Sequence, residues 1–443
     1  MTTATANKSV LAIDGGPKAF TTKQGHSQNK IGVEELFAIA ERFGVKPDAM
    51  QRLRSALTDK DLQGEGPTLA KYASTFPQPS SGSRFEAAAR ELFGSPYALG
   101  VSSGTGALHA AMVAVGAGPG KEVILPALGF MATAAAAALS GATPVFCDVD
   151  ESLQLDPKKL ESCITAQTVA VAPTHHWGNV ADMDPIMRIA RKHKIKVIED
   201  CAQSPGAKYK GRCVGTIGDV GCFSISAYKI IGGGEGGMVL ARDERLFDRI
   251  NQLVECGGLW RKDRFAPERY EGELFVGTNY RLSELESAVN VVQLGKLTGI
   301  VQRTHDAYQR VLRQLTPVQE IHPQTINDRD GAVGYQLRFF PESHELRKKL
   351  LPAFQAEGVP CGSRGPTNGP DWHLCSQMFP LQRSLKAHSR ADQCPVAEDL
   401  YHREIAIYVD QWWTEADCDA VANGVNKVLA AFCTASPNAK KWW

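Results

Sequence analysis

The sequence predicts an α/β fold: a large domain with a mostly parallel sheet between helices, then a smaller C-terminal α+β domain. Three observations carry that expectation. From about residue 95, short apolar runs alternate with helical patterns, the rhythm of a sheet buried on both faces. Two helices have readable starts, Asp156-Pro157 and Asp184-Pro185, each an N-cap residue followed by proline at the first helical position. After Pro317 the alternation gives way to separate strand and helix patterns.

Taken in order, residues 60–83 are rich in Gly, Pro and Ser and read as an extended loop. Thr105 to Val115 places Leu108, Ala111, Met112 and Val115 on one helical face. "EVILPA" (Glu122–Ala127), "TPVFCDVD" (Thr143–Asp150), "VAVAPTHHWG" (Val169–Gly178), "KVIEDCA" (Lys196–Ala202), "GCFSIS" (Gly221–Ser226) and "GGMVLA" (Gly236–Ala241) are strand-like. Val123 to Cys147 carries no charge, long enough to span a bilayer. Pro126, Gly129, Gly141 and Pro144 break it, so it reads as strand, turn, buried helix, strand. Ser283 to Leu315 reads as one or two long helices. "YQLRFFP" and "EIAIYVD" read as later strands; "ESHELRKKLLPAFQAEG" and "EADCDAVANGVNKVLAAF" read as helices. The expected division is an N-terminal arm with the large domain over 1–300, and the small domain over 301–443.

The 443 residues carry a net charge of +1, which offers no global field for nucleic acid or anionic lipid. The short basic runs Arg191–Lys196 and Arg261–Arg264 read as solvated faces or loops. Eleven cysteines are scattered without a C-x-x-C pair, against a disulfide framework or a zinc site. The start lacks an apolar stretch behind a basic one, so no signal peptide is expected. The expectation is a cytoplasmic protein with no metal, nucleic-acid or membrane partner.

The chemistry turns on "SAYKIIGGGEGG" (Ser226–Gly237). A P-loop places its lysine after the glycines; here Lys229 precedes them. A dinucleotide fingerprint opens a helix; this run leads into a strand pattern. A lysine between apolar segments is a poor surface charge. Desolvation makes such an amine a nucleophile, as in Schiff-base formation. Pyridoxal phosphate, the cofactor that chemistry serves, also needs a carboxylate for its ring nitrogen, a phosphate cup and an aromatic ring to stack on. Asp200, at the end of "KVIED", is the carboxylate candidate. Gly104 and Thr105, where a strand turns into a helix, and Ser224 are the cup. Phe130 is the stacking ring. Each alone has an ordinary reading: a helix cap for Asp200, Gly104 and Thr105, a core ring for Phe130. Their order on alternating strand ends is what chance rarely reproduces.

These segments resemble the DegT/DnrJ/StrS family of sugar aminotransferases, pyridoxal-phosphate enzymes of fold type I (aspartate aminotransferase-like), over roughly residues 85–300 and more loosely beyond. "SSGTGALHAAM" resembles the family's phosphate turn, and "VILPALGFMATAAA" the strand carrying the stacking aromatic. "PTHHWGNVADMD" resembles P-V-H-x-x-G-x-x-x-D-M-D and aligns His175. "VIEDCAQSPGAKYKGRCVGTIGDVGCFSISAYK" is the most specific match. The resemblance implies Asp200 at the pyridine nitrogen, Gln203 near the ring hydroxyl, Ser224 at the phosphate and Lys229 as the Schiff-base residue. "GTNYRLSELESAVNVVQLGKL" resembles the G-x-N-x-R segment. In the family its asparagine, here Asn279, reaches the partner subunit's cofactor, which implies a homodimer with composite active sites.

Some relatives replace the lysine by histidine and catalyse dehydration; Lys229 favours amino transfer. The resemblance therefore implies transfer from glutamate or glutamine to a keto or aldehyde sugar, nucleotide-linked or free. The alternatives are a keto-cyclitol such as scyllo-inosose, which "DGGPKAF" near the start resembles, or a pyridoxal-phosphate-dependent sugar dehydratase. A non-catalytic protein of the same fold is disfavoured by the intact Lys229 and Asp200. "SRGPTNGPDWHLC" (Ser363–Cys375) departs from the H-Y-x-x-P pattern of nucleotide-sugar enzymes. Arg261, Lys262, Arg264, Arg281, Trp177 and Arg364 are further candidates to meet an anionic substrate.

Overall fold

The computed structural model describes residues 10–22, 30–62, 67, 69, 79–258, 261, 263, 265–269, 271–365, 371–381 and 394–443. Residues 1–77 and 78–443 form separate compact units. In the first, α1 (Val33–Arg42) and α2 (Pro47–Ala56) bury Val33, Phe37 and Met50. Arg54 ties them by pairing with Glu34 and Glu41.

The second unit is built on a seven-stranded sheet: β1 (Tyr97–Val101), β2 (Glu122–Pro126), β3 (Thr143–Cys147), β4 (Thr168–Val171), β5 (Lys196–Asp200), β8 (Val220–Ser224) and β9 (Gly237–Ala241). A two-stranded ribbon, β6 (Lys208–Tyr209) and β7 (Arg212–Cys213), lies between β5 and β8 in sequence. The sheet order is β1-β9-β8-β5-β4-β2-β3. Only β9 runs against the rest, pairing antiparallel with β1 and β8. Alternate strand residues feed two cores. Val123, Leu125, Ile198 and Val239 join one cluster; Ile124, Val197, Met238 and Leu240 join the other. That alternation is why these strands are apolar almost throughout. One core takes α4 (Gly104–Ala114), α5 (Ala132–Leu139) and α8 (Glu244–Val254); the other takes α3 (Ser81–Phe93), α7 (Met183–His193) and α9 (Glu284–Gln314).

A four-stranded antiparallel sheet follows, ordered β10 (Ile321–Pro323), β11 (Gln336–Pro341), β13 (Ile405–Tyr408), β12 (Cys361–Gly362). Against it pack α10 (His344–Ala356) and the helix Glu415–Phe432, around Phe339, Phe354 and Ile407.

Two expectations need correction. The helix α7 starts at Met183, two residues earlier than expected, with Asp182 rather than Asp184 as N-cap. Asp184 lies in its first turn and pairs with Lys210 instead. The loop expected over 60–83 ends at Ser80, whose hydroxyl caps α3; residues 63–66, 68 and 70–78 lie outside the described residues. Of the one or two helices expected over Ser283 to Leu315, one forms: α9, 31 residues, capped by Ser283.

Candidate active site

The parallel strands put their carboxyl ends on one edge of the sheet, where ligands of such sheets sit. β1 leads to Ser103, whose Oγ accepts the Gly106 N–H at 3.0 Å and caps α4. A Cβ at Gly104 would lie 2.7 Å from the Ser224 Cβ. A Cβ at Gly237, paired with Ser224 across β8–β9, would lie 2.4 Å from the Ser103 carbonyl oxygen and 2.8 Å from the Gly104 nitrogen. The start of α4 thus rests directly on the end of β8, and only glycine permits it. The N-terminus of α4 and the buried Ser224 stand side by side, an arrangement whose chemistry suits an anion.

Asp200 ends β5 and is 4% exposed. Its Oδ2 accepts the Thr133 hydroxyl at 2.6 Å, and its Oδ1 accepts the Ala202 N–H at 3.0 Å. Thr133 stands in the first turn of α5, just after Phe130. The Phe130 ring is 46% exposed, and its centroid lies 5.4 Å from that of His373.

Lys229 lines a cleft of about 630 Å³ with Gln203, Trp177, Arg364, His373 and Tyr335. Among the described residues its amine has no hydrogen-bond or ion-pair partner. Burial lowers its pKa from the ordinary lysine value, and the Asp200 charge opposes that shift. The Gln203 Oε1 accepts the Trp177 N–H at 3.1 Å. Trp177 adopts a left-handed backbone, φ 55°, which is costly for a bulky residue and typical of functional sites. It is held between His176, ring centroids 3.5 Å apart, and the Arg338 guanidinium at 3.4 Å. Burial foremost, with His373, Arg338, Arg364 and Lys229 near, keeps His176 well below the ordinary imidazole range.

The other candidates fall elsewhere. His175 is fully buried; its Nδ1 accepts the Ala181 N–H, so Nε2 donates to Glu199 at 3.0 Å. Glu199 also accepts the Gly215, Ile217 and Gly218 N–H groups. His175 therefore braces the strand end behind Asp200 rather than lining the cleft. Asn279 is exposed, its Oδ1 accepting the Arg281 N–H. Arg281 pairs with the buried Glu255. Arg261 donates to carbonyls of its own loop, and Lys262 and Arg264 lie outside the described residues. Sequence reasoning missed Thr133, Glu199, Asp371, His373 and Tyr401. The hydroxyl of Thr133 among alanines and the spacing of Asp371 to His373 were the available signals.

The model of the DegT/DnrJ/EryC1/StrS aminotransferase family matches residues 73–426. The chain belongs to that family. It is 33% identical to a GDP-perosamine synthase of Caulobacter vibrioides, covering 78% of this chain and 89% of that one. It is also 33% identical to a putative L-glutamine:3-amino-2,3-dideoxy-scyllo-inosose aminotransferase of Micromonospora echinospora, covering 82% of each. The solved structure of an aminotransferase from Psychrobacter cryohalolentis superposes with a TM-score of 0.64 at 29% identity, covering 80% of this chain and 92% of that one. The protein is a pyridoxal-phosphate-dependent transaminase. Its residues are of the kinds the cofactor needs: a buried carboxylate ending β5, a desolvated amine with no partner among the described residues, and a helix N-terminus packed through glycine onto the end of β8.

Proposed function

We propose that this aminotransferase moves an amino group from L-glutamate or L-glutamine to a keto or aldehyde carbon of a sugar, nucleotide-linked or free, or of a keto-cyclitol, in amino-sugar biosynthesis. The observation that carries the reading is Lys229: a desolvated, unpaired amine in a cleft shared with Gln203, its charge felt by buried Asp200. Pyridoxal phosphate, when bound, supplies an electron-withdrawing ring able to carry an amino group between two carbons. Asp200 would hold the ring nitrogen protonated; Gly104, Thr105 and Ser224 would hold the phosphate; Phe130 would cover one face; Gln203 would meet the ring hydroxyl. The neutral Lys229 Nζ would take the proton from the donor's amine-bearing carbon as general base. A lowered amine pKa keeps more of it in that form near neutrality.

The same reading includes a homodimer in which Asn279 serves the partner's site. Support comes from Asn279 standing exposed three residues after Val276, which is 93% exposed, while Phe265 is 91% exposed and Tyr228 beside Lys229 is 99% exposed. Apolar side chains so exposed suit an interface. The cytoplasm remains the expected compartment; no helix among the described residues is long and apolar enough to cross a membrane.

The test is a half-reaction. Protein loaded with pyridoxal phosphate is mixed with L-glutamate or L-glutamine, and the cofactor absorption is followed with assay of 2-oxo acid. Bleaching of the yellow band with one equivalent of 2-oxo acid is expected. The aminated protein is then offered keto sugars and keto-cyclitols. Release of ammonia or water without 2-oxo acid would refute amino transfer.

A further inference from the structure

Among the described residues, one arginine lining the cleft with Lys229 keeps unused hydrogen-bond donors. Arg338 is largely committed: its guanidinium donates to buried Glu404 and to Gln336, its face covers Trp177, and the Nε left without a partner among the described residues is buried. Arg364 differs. Its backbone N–H is fixed on the Glu404 Oε1 at 2.6 Å. Its side chain, 42% exposed, makes one hydrogen bond to the described residues, from Nη1 to the Asp371 Oδ2 at 3.0 Å. That carboxylate is shared. It also accepts the His373 N–H at 3.1 Å, the His373 Nδ1 at 2.7 Å and the Tyr401 hydroxyl. Asp371 therefore acts as an anchor for three side chains rather than as a dedicated counter-ion. A guanidinium has five N–H donors in a planar fork. The donors of Arg364 not used on Asp371 have no hydrogen bond to a described residue, in a cleft shared with Lys229. A pre-set fork with a free edge matches a carboxylate.

We propose that Arg364, oriented by Asp371 and Glu404, is the receptor for a carboxylate of the substrate. The inference rests on the aminotransferase reading for the identity of the cleft. The carboxylate has two sources, the amino-acid donor or an acidic acceptor, and the test separates them. Protein loaded with pyridoxal phosphate is titrated calorimetrically with glutarate, with gluconate and with uncharged myo-inositol. The wild type binds at least one acid. Arg364→Gln weakens that binding by about 10- to 100-fold, the loss expected for a charged hydrogen-bonded pair, and leaves any myo-inositol binding unchanged. Arg364→Lys, which keeps the charge but not the fork, loses several-fold and serves if the glutamine variant does not fold. A loss for glutarate alone assigns the donor's carboxylate; a loss for gluconate assigns an acidic acceptor. No acid binding by the wild type, or equal binding by folded variants, overturns the proposal. The titration reads binding without turnover, so its failure and a failure of amino transfer are separate results.

Discussion

Consider Gly104→Ala. The new Cβ would stand 2.7 Å from the Ser224 Cβ and 3.2 Å from its Cα, whereas carbon atoms rest at roughly 3.5–4.0 Å. The start of α4 and the end of β8 must separate by about 1 Å to relieve the clash, and overpacking of this kind costs about 1–3 kcal/mol. The separated groups are those assigned to the phosphate. A charge-assisted hydrogen bond contributes about 1.5–3 kcal/mol, so losing one weakens cofactor binding by about 10- to 100-fold. Gly295→Ala is the control. Gly295 is an exposed position inside α9 with no atom within 4 Å of an added Cβ. There the same change should stabilise by about 0.5–1 kcal/mol through helix propensity and leave cofactor affinity alone. The assay is a pyridoxal-phosphate titration by absorbance beside a denaturant melt. Wild-type affinity in Gly104→Ala would refute the assigned phosphate corner.

Removing one member of the buried Arg338–Glu404 pair should be severe. Arg338→Met leaves Glu404 charged and uncompensated and should cost about 3–5 kcal/mol in a urea melt; Arg338→Met with Glu404→Leu should recover much of it. Hydrogen bonds from His373 and Tyr401 hold Asp371 well below the ordinary carboxylate range despite its burial. A depressed folded-state pKa gives stability that is full above the unfolded value near about pH 4 and is lost as pH falls toward the folded one. The gap in urea midpoint between wild type and Asp371→Asn should therefore narrow from pH 6 to pH 3; a constant gap would contradict the assignment.

The sheet was readable because its strands are buried on both faces and so are apolar throughout, as in "VILPA" and "VIED". Lys229, Gln203, Asp200, Phe130, Gly104 and Ser224 could be proposed together because parallel strands deliver their ends to one edge. The environment of His175 is not written in its motif: Trp177, two residues on, turns toward the cleft through a left-handed backbone, while His175 turns inward to Glu199. No local pattern announces that turn. Arg338, Asp371, His373 and Tyr401 come from the C-terminal region and meet the cleft only through long-range packing, such as the Gly129 N–H donated to the His373 carbonyl. The start of α7 was misplaced because Asp182 and Asp184 both precede an apolar face, and proline is tolerated anywhere in a first turn.

The most direct test of the account is to locate the cofactor on the chain. Purified protein is incubated with pyridoxal phosphate, reduced with borohydride, digested and mapped by mass spectrometry. The account predicts a phosphopyridoxyl group on Lys229 and none at that stoichiometry in Lys229→Ala. A label on another lysine, or no label on a folded protein, would contradict it.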